Sequence, residues 1–136
     1  MLLKQLIEKL QMVIGIITAR KGSKRLKNKN IRLLKKKGAL VKTILTKSAK
    51  EFVTPLSVAS LSQEKVYDDL FNIENESEMD HISLSRWSDL ILVAPATANT
   101  ISKLSNGSSD DLASTVMLAS DKKIFLTPAM LSLIHI

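Results

Sequence analysis

Three polar side chains, Thr97, Asn99 and Thr100, fall within four positions of the stretch APATANT (94–100). They follow an apolar run from Leu90 to Ala94 and precede Ile101 and Leu104 at helical spacing. Pro95 removes a backbone donor and is expected to stop the run. The stretch reads as strand, tight loop and helix, with Asn106-Gly107 closing the helix. In an open α/β sheet such a loop lies at the carboxyl end of a strand, where ligands bind. Thr and Asn donors beside the free N–H groups of a helix start make an anion site. The same residues are also ordinary helix caps, so both readings stand. His81 is a second candidate, because an imidazole moves a proton near neutral pH. It is equally an unremarkable residue in the first turn of a helix. A third is the basic loop Arg20 to Arg25, whose Gly22 and cations suit a phosphate cradle or a solvated turn.

The elements that must position these groups follow from periodicity. Val13 to Ala19 is apolar and β-branched and predicts a buried strand. Ile31 to Lys37 predicts a helix ended by Gly38, and Leu40 to Thr46 a second strand. Ser48 to Val53 reads as a short helix begun by a Ser cap and broken at Thr54-Pro55. Leu56 to Leu70 is mixed, with a short strand at Lys65-Val66-Tyr67. Met79 to Trp87 predicts a helix capped by Asp80. Its Ile82, Leu84 and Trp87 cannot share one stripe, so burial on more than one side is expected. Ser109-Asp110-Asp111 caps a helix from Leu112 to Ala119, and Lys123 to Thr127 forms the last strand. Strands alternating with helices predict a three-layer, doubly wound parallel sheet, flavodoxin-like or Rossmann-like.

With 136 residues and 45% hydrophobic content, the chain suits one domain with a real core. It has no Cys and two His, which excludes disulfides, thiol nucleophiles and a zinc site built by this chain alone. No apolar run is long enough to span a bilayer. The first fifty residues carry fifteen Lys and Arg against one acid, Glu8, whereas the remainder is acidic. No aromatic residue stands among those fifty, so the basic half lacks a stacking platform for nucleic acid. A cytoplasmic protein without membrane or nucleic-acid partners is expected.

Five blocks occur in order: ILTKSAKEFVTPLS (44–57), MDHISLSRWSDL (79–90), APATANT (94–100), NGSSDDLAST (106–115) and TPAM (127–130). On these blocks residues 31 to 130 resemble the phosphopantothenoylcysteine decarboxylases. These flavin-containing cysteine decarboxylases include the amino-terminal half of the bifunctional bacterial coenzyme A biosynthesis protein. The resemblance implies bound FMN and a homotrimer or higher homo-oligomer. It implies oxidation of the substrate cysteine to a thioaldehyde, loss of carbon dioxide, and conversion of 4′-phosphopantothenoylcysteine to 4′-phosphopantetheine. It makes His81 the active-site histidine, beside the flavin at a subunit interface. Thr46, Ser48 and Phe52 match positions around the flavin. Thr97, Ala98, Asn99 and Thr100 match its phosphate and ring contacts, and Met130 precedes the family's substrate-binding Asn.

Two regions depart from that pattern. Where the family has a small-residue phosphate loop, this chain has ITARKGSKRLKNKNI (17–31). That segment resembles the opening of sialic-acid cytidylyltransferases, which makes residues 1–30 of a single 1–130 flavoprotein domain a foreign or chimeric start. Long cations in place of small residues predict weak FMN binding or none. After Met130, Leu131 stands where the family has Asn, and residues 131–136 resemble a translated transposon-end adapter, so His135 is left out of the site. Without the Asn and the family's reducing Cys, no steady-state formation of phosphopantetheine is expected from these 136 residues. The alternatives are a cytidylyltransferase fragment, resting on the first strand and loop, and a non-catalytic flavin-binding or oligomerisation module.

Overall fold

The computed structural model describes residues 12–18, 27–51, 53–68 and 81–128. The elements run β1 (Met12–Ile17), α1 (Lys27–Lys36), β2 (Leu40–Leu45), α2 (Pro55–Ser62), β3 (Val66–Tyr67), α3 (His81–Trp87), β4 (Leu90–Ala96), α4 (Ala98–Ser105), α5 (Leu112–Ala119) and β5 (Lys123–Pro128). The five strands form one sheet in the order β3-β2-β1-β4-β5. Every pairing is parallel. The four expected strands and the short one at Val66-Tyr67 are all present, and the doubly wound reading holds.

The sheet is apolar on both faces, as a parallel sheet covered by helices must be. Successive residues of one strand serve opposite layers. Ile14, Ile16, Ile44, Ile91 and Val93 pack with Leu84 of α3 and with Ala113, Val116 and Met117 of α5. Ile101 and Leu104 bring α4 onto this same face. On the other face, Val13, Val41 and Leu92 meet Leu34 of α1, while Ile17 and Leu45 meet Ile31 and Val58.

Glycines set two helix ends. Gly38 has φ +85, and the N–H groups of Gly38 and Ala39 donate to the carbonyls of Lys35 and Leu34 at 3.0 Å each. Gly107 has φ +67, and Gly107 and Ser108 donate to Leu104 and Lys103 in the same pattern. This is the paired bonding that a left-handed residue after the helix permits.

Four local expectations need correction. Pro95 does not stop β4, which runs to Ala96 through a cis Ala94–Pro95 bond and a register shift against β5 between Val93 and Ala96. An end position beside β5 tolerates the missing donor. Thr54-Pro55 starts a helix rather than breaking one. The Thr54 hydroxyl accepts from the Ser57 N–H at 3.1 Å, and Pro55 occupies the first turn, where no N–H is needed. The stretch 48–53 holds only a 3₁₀ turn, Ala49–Glu51, and Thr46 rather than Ser48 caps it, accepting from the Ala49 N–H at 3.2 Å. In α3 the buried residues are Leu84 and Ser85, whereas Ile82 is exposed and Trp87 half-buried, so burial is one-sided. The Asp80 cap and the basic loop at 20–25 lie outside the described residues.

Candidate functional site

The carboxyl ends of β1, β2 and β4 converge where the strand order reverses. Chain order runs outward from β1 through β2 to β3 and then returns to β4 on the other side of β1. Such a reversal leaves a crevice outside the strand ends. Hydrogen bonds to strand-end carbonyls tie its rim together. The Thr46 N–H donates to the Ile17 carbonyl at 3.1 Å, and the Thr18 hydroxyl donates to the Pro95 carbonyl. Beyond β4, Thr97 caps α4 by accepting from the Thr100 N–H at 3.3 Å, and the two hydroxyls lie 3.0 Å apart.

A cleft of about 340 Å³ lies over this junction. Thr46 and Ser48 line it from the end of β2, and Thr97, Asn99 and Thr100 line it from the start of α4. Five of the residues singled out in the sequence are thus brought together. Ala98 begins α4 and is exposed beside them. His81, at the start of α3, is half-buried and is not part of this cleft's lining. Phe52 and Met130 lie outside the described residues.

Four further residues complete the walls: Thr18, Lys47, Lys103 and Asp111. Thr18 falls inside the strand expected over Val13 to Ala19, but the structure ends β1 at Ile17 and sets Thr18 at the same sheet end as Thr97. Lys103 follows Asn99 and Thr100 by one helical turn and so shares their face. Asp111 was read only as a cap, and it is one. Its carboxylate accepts from the Ser114 N–H at 2.7 Å, and the Ser114 hydroxyl accepts from the Asp111 N–H at 3.3 Å. Lys103 joins α4 to this cap through Asp110 at 3.1 Å and Asp111 at 3.3 Å. Burial pushes the Asp111 carboxyl up, but the bonds from Ser114 and the Lys103 ammonium outweigh it and hold the carboxyl below its ordinary value. Burial likewise works against charge on Lys103, and the two carboxylates outweigh it to raise that group.

The donors left over define what the cleft can hold. Neither the Ser48 hydroxyl nor the Asn99 amide has a hydrogen-bond partner among the described residues, and the Thr46 hydroxyl accepts but still has its proton to donate. Hydroxyl and amide donors beside a cation suit a polyhydroxylated, phosphorylated small molecule. Its volume falls within the range of small-molecule sites.

The flavoprotein profile matches residues 3–135. This chain belongs to the flavoprotein family. The flavoprotein is 50% identical over 93 residues to the coenzyme A biosynthesis bifunctional protein CoaBC of Bacillus subtilis, a match covering 68% of this chain and 23% of that protein. It therefore spans about a quarter of the length of the curated relatives it matches. Among solved structures it is similar to TvaF, an FMN-dependent cysteine decarboxylase from thioviridamide biosynthesis, with 26% identity and a TM-score of 0.77 over 88% of this chain and 74% of that one. It is also similar to a PPC decarboxylase mutant complexed with pantothenoylaminoethenethiol, with 28% identity and a TM-score of 0.70 over 90% of this chain and 69% of that one. No helix of the flavoprotein's described residues is long and apolar enough to cross a membrane.

Proposed function

We propose that this chain is the FMN-binding decarboxylase unit of a coenzyme A biosynthesis protein, acting on 4′-phosphopantothenoylcysteine in the cytoplasm. The observation that carries the reading is the cleft where β1, β2 and β4 end, with Thr46 and Ser48 facing Thr97, Asn99 and Thr100 across it. FMN, when bound, supplies reversible two-electron oxidation of the substrate cysteine. Ser48 and Asn99 would hold it with side chains that have no partner among the described residues. Thr97 would fix the α4 start against it, because the hydroxyl it uses is already committed to the helix.

His81 is assigned the proton-moving role. It stands apart from the cleft lined within one chain, which supports a homotrimer or higher homo-oligomer in which a neighbouring copy completes the site. Residues 1–130 are inferred to act as one flavoprotein domain, to which the first thirty contribute a strand whatever their sequence origin.

The test is a fluorescence titration of the full chain with FMN, followed by carbon dioxide release from 4′-phosphopantothenoylcysteine in a single turnover. Binding weakened by Asn99→Ala, with release abolished by His81→Asn while FMN stays bound, is the expected result. Failure of the chain to quench FMN at any concentration overturns the reading. Sedimentation of the FMN-loaded chain as a monomer overturns the oligomer.

A further inference from the structure

The cleft carries an uneven distribution of charge. Of the two cations that line it among the described residues, Lys103 is held by Asp110 at 3.1 Å and by Asp111 at 3.3 Å, so its charge is already matched by two carboxylates. Lys47 lines the opposite wall, at the end of β2, and meets no carboxylate among the described residues. Its neighbour along the same loop, Lys50, is paired with Asp68 at 3.1 Å. Among the described residues, Lys47 is therefore the unmatched cation on the β2 side of the cleft, and Lys103 paired with Asp111 stands on the other.

Lys47 also stands between two hydroxyls. Thr46, Lys47 and Ser48 are consecutive, and all three line the cleft. The Thr46 hydroxyl accepts from Ala49 and retains its proton, and the Ser48 hydroxyl is without a partner among the described residues. Three adjacent donors, one of them charged, match the three terminal oxygens of a phosphate monoester better than the two of a carboxylate. Asp111 on the far wall, kept ionised below its ordinary range, repels an anion and leaves the β2 side as the place for it.

We propose that Lys47 reads the phosphate monoester of the small molecule held in this cleft, and so sets the preference for phosphorylated over unphosphorylated ligand. This rests on the function proposed above. Two ligands of that reading carry the same group, the flavin cofactor and the phosphopantothenoyl substrate, and the shared chemistry is the phosphate.

The experiment titrates the full chain and its Lys47→Gln and Lys47→Arg variants with four probes: FMN, riboflavin, 4′-phosphopantothenoylcysteine and pantothenoylcysteine. Dissociation constants are measured at low and at high salt. Lys47→Gln is expected to weaken binding of one phosphorylated probe about tenfold, to leave its unphosphorylated partner unchanged, and to lose most of that difference at high salt. Lys47→Arg is expected to keep the preference. Selective loss in the flavin pair assigns the phosphate to the cofactor, and selective loss in the substrate pair assigns it to the substrate. Equal loss with and without phosphate, or no loss in either pair, overturns the proposal while leaving flavin binding intact. Absence of flavin binding by the unaltered chain overturns the proposed function together with this inference.

Discussion

Thr43 shows what a single side chain can cost. It is fully buried on β2, and its hydroxyl has no hydrogen-bond partner among the described residues. A buried, unpaired hydroxyl destabilises, whereas a methyl of similar shape does not. Thr43→Val is expected to raise stability by about 1 kcal/mol in chemical denaturation. A loss would show that the hydroxyl has a partner. Asp111 makes the opposite case. Its carboxyl is held below the ordinary value, so the charged form adds stability above about pH 4, and that part is lost as pH falls through the depressed value. Asp111→Asn keeps a capping side chain and removes the charge. The variant is expected to be less stable than the parent at pH 7 and to converge with it in acid. Stability curves that stay parallel down to pH 2 would contradict the assignment. Neither effect could be read from sequence, because Thr43 is an ordinary strand residue there and Lys103 is eight positions from its partner.

Among the elements, those with strong local signals were legible and those without were not. The α5 boundaries follow from Asp111 and from the apolar Leu112 to Ala119. β1, β2, β4 and β5 follow from apolar, β-branched runs. α2 was missed because PLSVASLS carries no periodic stripe, with only Val58 and Ser62 buried and Leu56 78% exposed. Its start is encoded in the Thr54-Pro55 pair, which looks like a breaker unless the hydroxyl bond to Ser57 is known. The site was half legible for a similar reason. Thr97, Asn99 and Thr100 share one loop, but their meeting with Thr46 and Ser48 depends on β2 and β4 flanking β1. At this scale Thr97→Ala should destabilise the chain by about 1 kcal/mol through loss of the α4 cap. Hydrogen exchange of the Thr100 and Ile101 amides should rise more than that of β4. Uniform acceleration across both elements would argue against a local cap.

For the whole molecule, stability resides in the two apolar layers on either side of the sheet. Ile91 is fully buried near the start of β4 and packs in the layer beneath α3 and α5. Ile91→Ala is expected to cost about 2–5 kcal/mol. Leu56→Ala, on an exposed helix face, is expected to stay within about 0.5 kcal/mol. Comparable losses from both would mean that the Leu56 face is covered in solution, and dilution would then separate them. Met12–Ile17 pairs with β2 and Val13–Ile16 with β4, because a continuous apolar run suits a central strand covered on both faces.

The pairing of β1 with β4 has a consequence for synthesis. Val13 lies opposite Leu90, and the Asp89 N–H closes on the Met12 carbonyl at 2.8 Å. On a ribosome the strand that becomes the middle of the sheet is made first, and one of its two edges stays open until residues beyond 90 have left the exit tunnel. The β1–β2–β3 half can form early, with that edge unpaired in the meantime. Contacts of such separation slow folding and expose a strand edge to other chains. The nascent chain is therefore most vulnerable to association just before β4 emerges, and a chaperone that shields the β1 edge would act in that interval.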